Sequence, residues 1–475
     1  MQPVFDLTRY NERLESLFTR FQSVQKVGFT GNAYKPGLEG MERFSAMLGN
    51  PWKSYPCIHV AGTNGKGSVC SMLASALAAG GAVRSATATH KPAQKTSANC
   101  PTRHQRDTMR VGLYTSPHLL DFRERMKIVS ADGYEMISRE EVWEFLNSYE
   151  AGFEGLSFFE ITTGMAFWWF AKKGVDAAVI EVGLGGRLDS TNIITPALSV
   201  VTSIGLDHCA LLGSTRAAIA CEKAGIFKTG VPAVVGVRDP ETELSFKTVA
   251  FAMGTPLIFA SDTAPFEGES ALLAKMDLTG PCQDINLHTV LTCIHQISNF
   301  GGCKQLFAIS STENGIPADM AEAIEESGKR TGLWGRWQRI CGHPEVICDI
   351  GHNPPALKEN FARIRQMQEE GRSAVIVYGI MADKDLDGIA PLMPAGARYI
   401  LAAPDNQRAL PAEDLLQRLT RLRPDLDCSA ADSVQNAVRQ AIDLAQDLPN
   451  PFIYIGGSTF VVAEALPLFN ESTEI

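Results

Sequence analysis

Short apolar runs alternate along this chain with stretches in which apolar residues recur every three or four positions. Runs at 57–61, 111–115, 176–182, 198–204 and 233–237 predict strands buried on both faces. Helical periodicity fills the gaps at 69–79, 140–149, 161–172 and 216–227. A second series has strand-like runs at 345–350, 374–379, 398–402 and 451–455, with helical stretches at 356–369 and 432–446. The fold class is therefore α/β: an N-terminal domain with a mostly parallel sheet and helices on both faces, then a smaller Rossmann-like C-terminal domain. Residues 327–335, rich in Gly, Thr and charge, predict the boundary and a hinge, giving domains 1–330 and 331–475. Near the start, Tyr10, Leu14, Leu17, Phe18 and Phe21 recur at helical spacing among charges and predict an amphipathic helix packed on the body.

One segment breaks the alternation. Residues 85–109 carry no aliphatic periodicity and read as an inserted, locally basic loop. Its Lys91, Lys95, Arg103 and Arg106, with Arg110 beside it, suit a solvated loop first and an acidic substrate tail second. At 475 residues, 45% hydrophobic and 20% charged, the chain can bury a large core in two or three domains. No apolar run approaches the ~18 residues that span a bilayer; the one at 165–171 ends at Lys172 and Lys173. With no signal peptide pattern at the N-terminus, a soluble, cytoplasmic protein is expected. The formal charge of −10 argues against a nucleic-acid surface. Eleven cysteines, odd in number and without a CxxC pair, indicate neither a zinc site nor a disulfide framework and read as small core residues of a reduced protein.

Chemistry first shows at 57–68, where an apolar run leads into Gly62-Thr63-Asn64-Gly65-Lys66-Gly67-Ser68 and then a helix. The glycines let backbone N–H groups curl inward, Lys66 adds a charge that can reach outer phosphates, and the helix N-terminus contributes its dipole. A nucleoside triphosphate is the expected ligand; an ordinary Gly-rich turn is the alternative, since the pattern GxxxxGK[ST] is not met. Glu181 ends a later apolar run, at the sheet edge where open α/β folds place ligands, and a carboxylate there can hold a nucleotide's magnesium. A structural ion pair is the plainer account, which Gly183, Gly185 and Gly186 make less attractive because they permit close backbone approach. His208 follows the next strand and Lys223 lies on the helix after it; by residue type alone these read as a satisfied histidine and a surface lysine.

These segments carry a resemblance. Gly62–Ser68, Thr115-Ser-Pro-His-Leu119, Glu181-Val-Gly-Leu-Gly-Gly-Arg-Leu-Asp189, Leu206-Asp-His208 and Glu222-Lys-Ala-Gly-Ile226 resemble, in this order, the folylpolyglutamate synthase and dihydrofolate synthase family of Mur-type ligases. Gly280-Pro-Cys-Gln-Asp-Ile-Asn286, Trp334-Gly-Arg336, Asp349-Ile-Gly-His-Asn-Pro354, Gly379-Ile-Met-Ala-Asp-Lys-Asp385 and Gly457-Ser458 continue the likeness over nearly the whole chain. It implies a two-domain ligase that uses ATP and two magnesium ions to join L-glutamate to dihydropteroate or a reduced folate through an acyl phosphate; a monomer is expected, although the residues do not set the oligomeric state. A silent nucleotide- or folate-binding scaffold and a ligase for another carboxylate are the alternatives.

By similarity, Thr63, Asn64, Gly65, Lys66, Gly67 and Ser68 would bind the nucleotide with Asn286, Arg336 and Asp349. Ser116 and Glu181 would hold one magnesium; Glu181, His208 and a carbamylated Lys223 would hold the other. Lys66, His208 and Lys223 would then be catalytic. Gly37, Leu38, Phe158, Phe159, Glu160, Leu188 and Asp189 resemble folate-facing positions, and His352 and Ser458 resemble glutamate-site residues. For Phe158 and Phe159 a core role is the equal alternative. Three departures stand out: the 85–109 insertion, Ile350 where glycine is usual, and Cys282 where tyrosine is common.

Overall fold

The computed structural model describes residues 5–21, 37–80, 109–299 and 315–469. The insertion predicted at 85–109 thus lies, apart from the buried Met109, outside the described residues.

Parallel pairing needs strands apolar on both faces, and β1 (Cys57–Ala61), β2 (Val111–Tyr114), β5 (Ala177–Glu181), β6 (Leu198–Val201) and β7 (Ala233–Val235) are buried along their whole length. With β3 (Met126–Ser130), β4 (Gly133–Met136) and β8 (Leu257–Phe259) they form one sheet of eight strands, ordered β4-β3-β2-β5-β1-β6-β7-β8. Only the pairings of β3 in this sheet, with β2 and β4, are antiparallel. Side chains alternate between two cores. Val111, Leu113, Ala177 and Val179 face one, whereas Tyr114, Ala178 and Ile180 face the other.

The first core is built around helix Lys66–Gly80, whose residues Gly67 to Ala78 are all buried. A helix buried on every side has no polar face to offer solvent, and this one is enclosed by the sheet and by helices Gln283–Asn299, Ala318–Glu325 and Ser327–Thr331. The opposite core joins helices Leu7–Arg20, Glu39–Met47, Arg139–Tyr149 and Phe158–Lys173. There the predicted N-terminal helix buries Tyr10 and Leu17, with Leu14, Phe18 and Phe21 packed behind them.

A second sheet, ordered β13-β12-β11-β14-β10-β9, comprises β9 (Gln338–Gly342), β10 (Glu345–Asp349), β11 (Ser373–Tyr378), β12 (Arg398–Leu401), β13 (Asp427–Ala430) and β14 (Pro451–Gly456). Only β9 is antiparallel, and separate apolar cores cover the two faces.

Two expectations need correction. Residues 327–331 do not form a hinge, because they are a helix with Ser327 and Thr331 fully buried. Nor are the cysteines uniformly core residues: Cys57, Cys70, Cys293 and Cys348 are buried, but Cys209, Cys221 and Cys282 are exposed.

Candidate active site

The loop after β1 is pinned to the end of β6. Thr63 N–H donates to Ser203 O (2.7 Å), and the hydroxyls of Thr202 and Ser203 donate to Asn64 O (2.6 and 3.1 Å). Gly62 has φ +149°, and a Cβ there would stand 1.9 Å from Thr202 Oγ1, so this turn requires glycine. Two lysines converge on one carbonyl. Lys66 Nζ donates to Gly62 O (3.1 Å) and Thr63 O (3.2 Å), and Lys223 Nζ donates to Gly62 O (2.9 Å).

Lys223 is 5% exposed. Burial, reinforced by the charge of Lys66, lowers its pKa to about 7. Glu181 ends β5 with its carboxylate buried; Oε2 accepts from Ser116 N–H (3.1 Å). Burial raises its pKa, with Lys66 pulling the other way. His208 is held at φ +52° after β6, and burial lowers its pKa to about 3, so its imidazole is neutral at pH 7.

The nucleotide-side residues gather against the same loop from the helix N-terminus. A Cβ on Gly65 would meet Asn286 Oδ1 at 2.3 Å, and one on Gly67 would meet Arg336 Nη2 at 3.1 Å. Gln283 donates to Ser68 Oγ (3.3 Å) and accepts from Asn286. Asp349 acts one step back, its carboxylate accepting from Trp337 N, Gly351 N and Asn360 Nδ2, which shapes the turns around Arg336.

A cavity of about 280 Å³ opens between the two sheets. Its walls include Lys66, Ser116, His208 and Lys223 on one side, Phe158, Phe159, Leu188 and Asp189 on another, and His352, Lys384, Arg408 and Ser458 from the second sheet's half. Both aromatic rings therefore reach the cavity, although Phe158 also stacks on Phe18 (4.9 Å, 27°) within the core.

Not every predicted substrate residue has a carboxylate or backbone to spare. Glu160 does not line the cavity; Oε2 accepts from Ser157 N (2.7 Å) and Ser157 Oγ (2.8 Å) in a capping box that starts helix Phe158–Lys173. The pattern Ser157-x-x-Glu160 before an apolar run was readable as that cap. Gly37 and Leu38 also lie outside the described lining, at the start of helix Glu39–Met47. Asp189 lines the cavity, yet its oxygens accept from Leu184 N–H, Thr191 N–H and Thr191 Oγ1, so it holds the glycine-rich turn in shape.

Several residues escaped the sequence reading. Asp207 is the hub of the contact between the two halves: Lys384 Nζ donates to Oδ1 (3.1 Å) and Asn353 Nδ2 to Oδ2 (2.9 Å), with His208 and His352 Nε2 at 3.7 and 3.9 Å. Burial works against ionising Asp207, but these neighbours outweigh it and hold its carboxyl well below the usual range. Burial also drives His352 down to about 4, so both imidazoles beside Asp207 are neutral at pH 7. Asn353 and Asn64 exchange amide hydrogen bonds (3.1 Å each way), tying the loop to the second half. Arg125, buried over the Phe158 ring at 5.4 Å, donates from Nε to His118 Nδ1. Asp207, Asn353 and Lys384 sat inside the quoted motifs, but nothing in their spacing says that they meet.

This geometry has close counterparts. Residues 335–458 match the model of the Mur ligase glutamate ligase domain. The chain is 30% identical over 434 residues to a folylpolyglutamate synthase of Lacticaseibacillus casei, covering 88% of this chain and 90% of that one. The chain belongs to the folylpolyglutamate synthase/dihydrofolate synthase family. It spans about half of a longer relative, a probable bifunctional folylpolyglutamate synthase/dihydropteroate synthase of Haloferax volcanii (30% over 449 residues, 91% of this chain, 48% of that one). Among solved structures, Escherichia coli FolC in complex with DHPP and ADP superposes with a TM-score of 0.73 at 27% identity, covering 97% of each chain. A bifunctional folylpolyglutamate synthase/dihydrofolate synthase with Mn, AMPPNP and L-glutamate bound gives 0.71 at 27%, covering 99% of this chain and 100% of the other. No helix among the described residues of this family member is long and apolar enough to cross a membrane.

The depressed amines make stability pH-dependent. Lys223 and Lys127 have folded-state pKa values of about 7 and about 8 against an ordinary 10.5, so the folded chain binds fewer protons than the unfolded chain between those limits. Stability from both groups is therefore expected to rise with pH from 7 to about 8.5, before the cysteines, which burial raises, begin to act in the opposite sense near 9. Melting temperatures at pH 7.0 and 8.5 check this: Lys223→Met should flatten the rise, and an unchanged slope would remove Lys223 as its source.

Proposed function

We propose that this protein uses ATP to join L-glutamate to the carboxylate of dihydropteroate or of a reduced folate, through an acyl phosphate. The observation that carries the reading is that one cavity brings together the glycine-rich loop with Lys66, Lys223 from helix Arg216–Ala224, an aromatic wall, and Lys384 and Arg408 of a glutamate ligase domain. An amine does not displace hydroxide from a carboxylate at useful rates. Phosphorylating that carboxylate creates a leaving group that the glutamate amine can expel.

Each wall has a task in this chemistry. Lys66 leaves its loop carbonyls for the transferring phosphoryl group, and the N–H groups at the start of helix Lys66–Gly80 face the phosphates. Phe158 and Phe159 form the aromatic part of the wall against which a flat heterocycle would lie. His352 and Ser458 stand on the side from which glutamate would approach, although Ser458 Oγ also caps helix Thr459–Ala465. Arg336, at the helix N-terminus, would add charge to the phosphates, and closure of the second half keeps water from the acyl phosphate. Both walls come from one chain, so a single copy suffices.

Among the described residues no group of three or more His, Cys, Asp or Glu side chains is arranged for a metal. The donor set nevertheless suits magnesium bound together with nucleotide phosphates: a hydroxyl on Ser116, a buried carboxylate on Glu181 and a neutral imidazole on His208. In this reading Ser116 and Glu181 would hold one ion, and Glu181, His208 and Lys223 a second. When bound, the ions neutralise phosphate charge. Lys223 contributes an oxygen donor only as its carbamate, which requires the neutral amine that burial favours.

The test is ATP- and magnesium-dependent incorporation of labelled L-glutamate, with dihydropteroate and tetrahydrofolate as parallel acceptors. Product from both is expected of a bifunctional enzyme, and product from one sets its acceptor. No product from either, with ATP still bound, would overturn the reading in favour of a silent scaffold or another acceptor.

A further inference from the structure

The segment that leads into the glutamate ligase domain is gripped by the β3–β4 hairpin at one side of the first sheet. Lys127 lies on β3 with its side chain directed to the same face as Val129, towards helix Lys66–Gly80, and is only 5% exposed. Its ammonium donates to Thr331 O (2.7 Å) and Gly332 O (3.0 Å), the last carbonyls of helix Ser327–Thr331. A cation at a helix C-terminus satisfies carbonyls that have no partner within the helix and meets the negative end of its dipole. The ring of Tyr134 on β4 lies 5.1 Å from the same ammonium.

Two further contacts hold the same segment. Arg330 Nη1 donates to Ala131 O in the β3–β4 turn (2.9 Å). Gly332 takes φ +58°, and a Cβ there would stand 2.4 Å from Tyr134 Oη. Beyond this grip the chain reaches the phosphate loop within four residues. A Cβ on Gly67 would meet Leu333 Cδ1 at 3.7 Å and Arg336 Nη2 at 3.1 Å. Gly335, at φ +71°, begins the segment that matches the glutamate ligase domain.

We propose that Lys127 is a positioning residue that fixes Thr331 and Gly332 to the sheet edge, confines any pivot of the second domain to residues 333–335, and so delivers Arg336 to the phosphate loop. A buried ammonium is costly unless its hydrogen bonds are met, and here both carbonyls belong to the connection rather than to the sheet. Burial lowers the Lys127 pKa to about 8 with Glu124 opposing, which agrees with an amine held by neutral carbonyls. The proposal rests on Arg336 being a nucleotide ligand.

The experiment is a double-mutant cycle on the full chain, read by calorimetric titration with ADP and magnesium. Lys127→Met keeps the length of the side chain and removes its donors; it is expected to weaken ADP about tenfold while the KM for the acceptor stays within twofold. Arg336→Ala should weaken ADP at least as much, and the double variant should be no weaker than Arg336→Ala alone. Effects of the two substitutions that multiply would overturn the proposal, as would an unchanged ADP affinity in Lys127→Met. An unchanged affinity in Arg336→Ala would instead overturn the nucleotide-ligand reading, and the proposal with it. Should Lys127→Met fail to fold, Gly332→Ala displaces the same connection without touching the lysine, and it must reproduce the weakened ADP binding for the proposal to stand.

Discussion

Replacing Lys223 with alanine is expected to lower kcat by about 100- to 1,000-fold, the scale on which the loss of one fixed electrostatic group is felt in an active site, while ATP affinity stays within about threefold. The amine is buried beside Lys66 and bonded to the carbonyl of Gly62. A protonated lysine there would repel magnesium, whereas its carbamate would present oxygen donors. In the proposed reading the nucleotide would contact the helix N-terminus and Arg336, and Lys223 would not be among its direct contacts. Steady-state kinetics and ATP titration separate the two effects. Labelled bicarbonate should give a carbamate NMR signal in the parent that Lys223→Ala lacks. Full activity in the variant, or no carbamate in an active parent, would take the modification out of the mechanism.

The sequence was most informative where physics leaves it little choice. A parallel strand buried on both faces must be an apolar run, and β1, β5, β6, β11 and β14 all declare themselves that way. The ligand edge follows from the same logic, because chemistry-bearing residues such as Glu181 and His208 sit where those runs stop. The hairpin of β3 and β4 was silent. It carries a buried lysine at 127 and exposed Tyr134 and Glu135, a pattern that matches neither strand template. Strand β13 at the far edge of the second sheet, Asp427–Ala430, is half polar because an edge strand need not be buried.

Within the site, the order of motifs along the chain gave residue types but not their company. The carboxylate of Glu160 was expected to face a folate and instead caps a helix. Asp207 passed as a neighbour of His208, although it collects Lys384 and Asn353 from more than 140 positions away. Contacts between two different sheets leave no periodicity in either, so only the three-dimensional arrangement reveals them.

Lys66→Ala is expected to reduce ATP-dependent turnover by about 1,000-fold or more, through two routes that share one carbonyl. The direct route, in the proposed reading, is loss of the charge that would meet the transferring phosphoryl group, since phosphoryl transfer depends almost wholly on positioning and charge stabilisation. The indirect route runs through Lys223. Its pKa is lowered first by burial and next by Lys66, and both Nζ atoms donate to Gly62 O. Removing Lys66 leaves Lys223 more easily protonated and so less able to form a carbamate at pH 7. The two lysines therefore act as a unit, and Lys66→Ala/Lys223→Ala should fall well short of the product of the single losses. Raising the pH from 7 to 8.5 should recover part of the activity of Lys66→Ala, because it restores neutral Lys223, and none of the activity of Lys223→Ala. Losses that multiply, together with no recovery at pH 8.5, would show that the lysines work independently and that the lowered pKa of Lys223 owes nothing to its neighbour.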